Sequence, residues 1–286
     1  MTDVVARDHR IVVTDGLTLY CRDYSSAGSR LPVLCLPGLT RNGRDFHELA
    51  LHLSVQRRVL ALDFRGRGLS EHDPDWHRYR LDVYVSDVLA VLDALKIPQV
   101  IIVGTSLGGL VGMFFGATHP ERLAGLVLND IGPDLDPRGL SRIANSVGQS
   151  EPVKSWNEAA LAAREGHAAV MPDFTMEDWL GFAKKVYRQR EDGVIIRDMD
   201  PEIGTALRES AEPAPDFWQA FKALQRLPIL TIRGELSDLL AATTVSQMQL
   251  HHPTIAVVEI ANRGHAPTLD EPASRNAIDH FLERLP

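Results

Sequence analysis

The sequence is poor in cysteine and has no long hydrophobic run. Of its 286 residues only 2 are cysteine, Cys21 and Cys35, which excludes a small fold held together by several disulfides. No apolar stretch approaches the roughly 18 residues that a membrane-spanning helix needs. The first residues carry acidic side chains and lack the apolar segment of a secretory signal. We therefore expect a cytoplasmic protein with no membrane partner.

Basic charge is also scarce. Lys and Arg number 30 against 38 Asp and Glu, a net charge of −8, whereas proteins that bind nucleic acids present basic surfaces. The chain has no phosphate-binding P-loop pattern and no Cys/His spacing typical of zinc. We expect no nucleic-acid partner, no cofactor and no metal. The expected partner is a small-molecule substrate, and both a monomer and a homodimer stay open.

Short apolar runs alternate with amphipathic stretches along most of the chain. The first two runs flank Asp15-Gly16, a dipeptide typical of tight hairpins. The other runs are almost continuously apolar, as strands buried on both faces of a parallel sheet are. This pattern predicts an α/β fold with a mostly parallel sheet flanked by helices. The runs are His9–Val13, Leu17–Cys21, Pro32–Leu36, Arg58–Leu62, Val100–Val103, Ala124–Leu128, Ile229–Ile232 and Ala256–Ile260.

The alternation is interrupted once, after the run Ala124–Leu128. Ser155–Glu158 and Thr175–Asp178 both match a capping box, a signal for the start of a helix. We therefore predict a helical insertion at residues 134–211, after the sixth strand, within a core made of 1–133 and 212–286. The insertion has 14 acidic and 10 basic residues. This acidic excess favours neutral substrates over anionic ones.

A candidate nucleophile lies in the segment Gly104–Gly108, which follows an apolar run and precedes a helical pattern. Glycines allow a sharp turn between strand and helix, which would expose Ser106 at its tip. The start of the following helix would offer a backbone N–H and a positive dipole end to a developing oxyanion. The alternative interpretation is a glycine-rich turn whose serine only caps the helix.

A serine nucleophile needs a base, and the base needs an orienting acid. His265 follows the last predicted strand, and Asp238 follows the strand Ile229–Ile232. In a parallel sheet the carboxyl ends of the strands are where ligands bind. Ser106, Asp238 and His265 are therefore the predicted catalytic residues.

The order Ser, Asp, His on an alternating strand and helix chain resembles the α/β-hydrolase fold superfamily. Three further segments are similar to its motifs: Leu36–Leu39 to the oxyanion loop, Asp63–Ser70 to the turn after the fourth strand, and Gly264–Pro272 to the histidine loop. The resemblance covers the whole predicted core. It implies a sheet of eight strands, and an insertion that caps the nucleophile.

The resemblance also assigns further site residues. It implies that the backbone N–H groups of Leu39 and Leu107 bind the oxyanion. Because caps in this family cover the nucleophile, Trp156 and Trp179 in the insertion are candidates for the substrate pocket.

The chain departs from the family pattern at the acid. The family usually has its acid three residues after the glycine, where this chain has Ser237, and Asp238 comes one residue later. Glu235 and Asp130 therefore remain alternatives to Asp238. The oxyanion loop also has Pro37 where a histidine is common.

The expected function is that of a serine hydrolase that cleaves a small, largely apolar carboxylic ester or lactone through an acyl-enzyme. A serine nucleophile argues against haloalkane dehalogenases and epoxide hydrolases, which use aspartate. The alternatives are a carbon–carbon bond hydrolase of ring-cleavage products, an enol-lactonase, a perhydrolase, and a ligand receptor that keeps the triad. Against the first, Ala266 stands where those enzymes commonly have Trp.

Overall fold

The central sheet determines the architecture of the chain. A computed structural model describes residues 6–25, 28–148, 151–209 and 215–286. The strands of the sheet are β1 (Ala6–Val12), β2 (Thr18–Tyr24), β3 (Val33–Leu36), β4 (Val59–Asp63), β5 (Val100–Thr105), β6 (Leu123–Asn129), β9 (Ile229–Gly234) and β10 (Ala256–Ile260). Their order is β1-β2-β4-β3-β5-β6-β9-β10, and every pairing from β4 to β10 is parallel, whereas β2 is antiparallel to both neighbours. The mostly parallel, eight-stranded sheet predicted from the sequence is confirmed.

Helices cover both faces of this sheet because its strands are apolar on both sides. Along β3, Leu34 and Leu36 join one hydrophobic cluster, whereas Val33 and Cys35 join the other. The first cluster packs under four helices, which are α2 (Leu81–Ala94), α3 (Leu107–Thr118), α8 (Phe217–Ala223) and α9 (Ala242–His251). The second cluster packs under α1 (His47–Leu53) and α10 (Pro272–Glu283).

The segment between β6 and α8 forms additional structure outside the sheet. Its elements are α4 (Pro137–Ser146), α5 (Trp156–His167), α6 (Met176–Val186), β7 (Tyr187–Gln189), β8 (Ile195–Arg197) and α7 (Glu202–Glu209). We call residues 134–209 the insert. The insert has a hydrophobic cluster of its own, formed mainly by α5 and α6 around Trp179. The predicted boundary between 211 and 212 lies outside the described residues.

The insert contains a β-hairpin that the sequence analysis did not predict. Strands β7 and β8 are antiparallel, with Tyr187 opposite Arg197. Asp192-Gly193 forms the turn, and Gly193 adopts a φ of 82° that glycine tolerates best. This is the same dipeptide as in the first hairpin, so the signal was present between two very short strands.

No helix within the described ranges is long and apolar enough to cross a membrane.

Candidate active site

Ser106 lies at a sharp turn between β5 and α3. Its backbone has φ 51° and ψ −116°, a strained conformation for a residue with a side chain. A Cβ on Gly108 would overlap the carbonyl of Leu36, and one on Gly104 would overlap the backbone of Gly108. The two glycines thus let α3 start close against the sheet, with Ser106 at the tip of the turn. The Ser106 amide is fixed by a 3.1 Å hydrogen bond to the carbonyl of Asn129.

A chain of hydrogen bonds connects Ser106, His265 and Asp130. Nε2 of His265 lies 2.9 Å from Oγ of Ser106, and Nδ1 lies 2.8 Å from Oδ2 of Asp130. Asp130 is completely buried and also accepts hydrogen bonds from Ser237 Oγ, at 2.6 Å, and from the amide of Gly234, at 2.7 Å. Because Nδ1 faces a carboxylate, it carries the proton, which leaves Nε2 as the acceptor for the serine hydroxyl.

Asp238, the acid expected from the sequence, does not contact His265. Its carboxylate accepts two hydrogen bonds from Arg142 of α4, at 2.6 and 2.8 Å, and this guanidinium holds the pKa of Asp238 below its usual range. The assignment of Asp238 as the partner of His265 is therefore corrected to Asp130, which the sequence analysis kept as an alternative. The physical reason is the short Ser237 side chain, which leaves room for Asp130 from the neighbouring strand and donates to it.

Glu235, the other alternative, supports the histidine loop instead. Its carboxylate accepts a hydrogen bond from the amide of Asn262, at 3.0 Å, and lies on the surface.

Two backbone amides beside Ser106 are free to bind an oxyanion. In the described part of the chain, the N–H groups of Leu39 and Leu107 make no hydrogen bond. The loop of Leu39 lies against the nucleophile, since a Cβ on Gly38 would be 3.7 Å from Cβ of Ser106. Arg67 is fully buried and donates from Nε to the carbonyl of Leu39, at 2.9 Å. This contact fixes the loop that carries one of the two amides.

A cavity of about 650 Å³ opens above Ser106. This volume is within the usual range for sites that bind small molecules. The core contributes Ser106, His265 and Leu39 to its wall, and the insert covers it with residues such as Phe174 and Phe182.

The expected pocket residues Trp156 and Trp179 are not on this wall. Trp179 is 1% exposed and packs between Phe174 and Phe182, with ring centroids 5.0 and 5.7 Å away, inside the cluster of the insert. Trp156 packs against the same cluster. This interpretation of the two tryptophans is therefore wrong. The largest rings form the core of the insert, and two phenylalanines beside them face the cavity.

His167 on the cavity wall is held in its neutral form. Burial, together with the nearby charges of Arg41, Arg197 and Arg142, lowers the pKa of His167 to about 4. Its Nδ1 lies 2.9 Å from the carbonyl of Ala163, which places the proton on Nδ1. His167 therefore adds no positive charge to this part of the cavity wall.

The described residues contain no group of three or more His, Cys, Asp or Glu side chains placed to hold a metal ion.

Residues 32–272 match the family described by the alpha/beta hydrolase fold, which is most of the chain. The chain belongs to the α/β-hydrolase family. The resemblance inferred from its motifs is confirmed, and the protein is an enzyme of this family.

Individual relatives are similar over most or all of their length. The crystal structure of an α/β-hydrolase from Novosphingobium aromaticivorans is 42% identical with a TM-score of 0.92, and each chain is covered completely. A 3-hydroxybutyrate-oligomer hydrolase of Cupriavidus necator is 34% identical over 258 residues, 87% of each chain. A 2-(acetamidomethylene)succinate hydrolase of Mesorhizobium japonicum is 26% identical over 288 residues, 98% of each chain.

Proposed function

We propose that this α/β-hydrolase cleaves small carboxylic esters or lactones through an acyl-enzyme on Ser106. The observation that carries the proposal is the continuous hydrogen-bond chain from Ser106 through His265 to Asp130. In this chain a hydroxyl, an imidazole and a buried carboxylate are arranged as nucleophile, general base and orienting acid. The 3-hydroxybutyrate-oligomer hydrolase supports the ester class, since oligomers of a hydroxy acid are linked by ester bonds.

The reaction proceeds in two halves. His265 takes the proton of Ser106 as its oxygen attacks the ester carbonyl, and the amides of Leu39 and Leu107 bind the oxyanion. His265 then protonates the departing alcohol, which leaves an ester between Ser106 and the acyl group. In the second half His265 activates a water that hydrolyses this ester and restores the free serine. Asp130 keeps Nδ1 of His265 protonated and stabilises the imidazolium that forms in each half.

Replacing the nucleophile tests this proposal. Ser106→Ala is expected to lower kcat on a 4-nitrophenyl ester by on the order of 10⁶-fold, because the residual rate comes only from binding and the oxyanion amides. A fluorophosphonate probe should label the wild-type protein once, at Ser106, and leave the variant unlabelled. Ser141→Ala, an exposed serine of α4, is the matched control. An active Ser106→Ala variant would rule out the acyl-enzyme.

The same assay separates ester cleavage from the carbon–carbon bond hydrolysis that stayed open. A vinylogous diketone of the ring-cleavage type is offered beside an aryl ester and a lactone, with Ser106→Ala as the blank. Faster turnover of the diketone would replace the ester proposal. Binding of each ligand without any turnover would favour the receptor alternative.

A further inference from the structure

Among the residues that the structure describes, one cationic side chain on the cavity wall has no anionic partner. Arg197 is the last residue of β8 and lines the cavity that contains Ser106. Its guanidinium makes no ion pair or hydrogen bond with any residue that the structure describes, and it lies over the ring of Tyr187, 5.6 Å from the centroid. Its Nε is shielded from solvent. Buried donors without a partner are uncommon, because folding removes their hydrogen bonds to water.

The other cations of the wall are each paired with a carboxylate. In every case a nitrogen of the cation lies within ion-pair distance of a carboxylate oxygen, and in some of the pairs the guanidinium donates two hydrogen bonds to the carboxylate. The pairs are Arg41 with Asp45 at 2.6 Å, Arg142 with Asp238 at 2.6 Å, Arg263 with Glu271 at 3.0 Å, and Lys185 with Asp270 at 3.5 Å. Arg197 therefore differs from these residues, because it lines the cavity and no carboxylate among the described residues pairs with its charge.

The acid next to Arg197 in the sequence is unavailable to it. Asp198 is buried and forms ion pairs with Arg44, at 2.6 Å, and with Arg188, at 3.2 Å. Alternate residues of a strand point to opposite faces, so the side chains of Arg197 and Asp198 diverge.

The backbone that carries Arg197 is fixed to the core. The amide of Gly68 donates to the carbonyl of Asp198 at 3.1 Å, and the amide of Asp200 donates to the carbonyl of Gly66 at 2.7 Å. Tyr79 also donates its hydroxyl proton to the carboxylate of Asp200, at 2.6 Å. These contacts follow Arg197 directly, so its position relative to the core is set before a ligand arrives. Such preorganisation is what a recognition residue requires.

We infer that Arg197 binds a carboxylate of the substrate, and that the preferred substrates are small esters carrying a free carboxylate besides the ester that is cleaved. This inference rests on the proposed ester hydrolysis at Ser106 and names its substrate class. The planar guanidinium matches the two oxygens of a carboxylate. The neutral His167 on the same wall adds no charge, and Arg197 is one of the arginines whose charge helps to lower its pKa.

The inference also revises the preference for neutral substrates expected from the acidic composition of the insert. Several acids of the insert are engaged by its own basic residues or by those of the core, as the pairing of Asp198 with Arg44 and Arg188 illustrates. Net charge therefore does not describe the potential inside the cavity.

Two matched pairs of esters test the inference. The first pair, 4-nitrophenyl hemisuccinate and 4-nitrophenyl butyrate, places the carboxylate on the acyl side. The second pair, 3-acetoxybutyrate and its methyl ester, places the carboxylate on the alcohol side. Cleavage of the acetyl ester is measured as the acetate released. Each substrate is assayed with the wild type, Arg197→Gln and Arg197→Lys. Arg190→Gln is the control, because it removes the same charge from the same hairpin at an exposed position away from the cavity.

Arg197→Gln is expected to lower kcat/KM for the carboxylated ester of at least one pair by on the order of 10- to 100-fold, the loss of a charge-assisted hydrogen bond. For the neutral ester of each pair, the same variant should change kcat/KM by no more than about 3-fold, because no specific contact is lost. Arg190→Gln should change neither. If the Gln variant does not fold, Arg197→Lys supplies the same comparison. Its expected loss of kcat/KM is smaller, because lysine keeps the charge but cannot donate two parallel hydrogen bonds to a carboxylate.

Equal losses on both members of each pair, or no loss on either, would overturn the role of Arg197. A wild-type enzyme that hydrolyses only the neutral esters would overturn it as well. If the wild type cleaves none of the four esters, the proposed ester hydrolysis fails instead.

Discussion

At the scale of single residues, the carboxylate that contacts His265 follows a different strand from the one expected from the sequence. Asp130 follows β6, whereas the expected acid Asp238 follows β9. Both carboxylates lie near the histidine loop, but only Asp130 is buried and within hydrogen-bonding distance of His265. The two carboxylates therefore differ in whether they form a hydrogen bond with His265. Replacing each of them in turn tests which one acts as the acid.

Asp130→Asn is expected to lower kcat on a good ester by on the order of 10³- to 10⁴-fold, because an amide no longer holds His265 in the required tautomer. Asp238→Asn should leave kcat within about 3-fold, since it breaks only the contact with Arg142. Steady-state kinetics of both variants, with circular dichroism to confirm folding, make the comparison. The reverse ranking would restore Asp238 as the acid.

His167 is expected to make the protein less stable in acid. Its pKa is lowered to about 4 in the folded state by burial and by the arginines around it, against about 6.5 in the unfolded chain. The unfolded chain therefore binds the proton first, and the stability present above pH 6.5 is lost as the pH falls toward 4.

Urea unfolding at pH 7 and pH 5 measures this loss. His167→Gln should reduce the drop in unfolding free energy between the two values by about 1 to 2 kcal/mol, after allowance for the partial exposure of the ring. His280→Gln, at an exposed position of α10, is the control and should leave the drop unchanged. A drop of the same size in the His167 variant would show that other groups cause it.

At the scale of elements, the turn between β5 and α3 depends on the close approach of the helix to the sheet. Gly108→Ala would place a methyl group against the carbonyl of Leu36. We expect a loss of about 3 kcal/mol of unfolding free energy, because backbone atoms must move to make room. Ester hydrolysis should fall too, since the same turn positions Ser106.

Gly181→Ala in α6 is the matched control for that prediction. An added Cβ there meets no atom within 4 Å, so the unfolding free energy should stay equal or rise by up to about 1 kcal/mol. Thermal unfolding of the two variants provides the comparison. Similar losses in both would contradict the role of the contact with β3, because Ala favours the helix over Gly at either position.

The elements of the core could be predicted because their signals are local. Apolar runs such as Val100–Val103 and Ile229–Ile232 fall within the observed strands, and the turn at Ser106 follows from glycine spacing. The hairpin β7–β8 escaped prediction because its strands have only 3 residues each, too few to show an alternating pattern. Its turn, Asp192-Gly193, was the one available signal.

The remaining features of the site depend on distances between residues far apart in the chain. Ser106 and His265 could be predicted because each lies in a turn or loop that follows a strand, and the structure places them in contact. The choice between Asp130 and Asp238 depends on which side chain reaches His265, and composition does not determine that. The unpaired state of Arg197 is likewise a property of its neighbours in space.

At the scale of the whole molecule, the residues of the proposed chemistry and those of the proposed substrate selection lie in different layers. The sheet carries Ser106, Asp130 and His265, whereas the insert contributes Arg142, Phe182 and Arg197 to the cavity. The two layers are joined by ion pairs and backbone hydrogen bonds such as those of Asp198. Substitutions within the insert should therefore alter which ester is cleaved more than how it is cleaved.

The register of β5 and β6 has a consequence for how such an enzyme can evolve. Thr105 lies opposite Asn129 in the last residue pair of these parallel strands, so Ser106 and Asp130 leave the sheet at the same level on adjacent strands. A lineage that keeps these two strands inherits the spacing of nucleophile and acid together. The residues around Ser237, where the family usually has its acid, are then free to diversify. In this chain Asp238, which directly follows Ser237, binds Arg142 on the wall of the cavity.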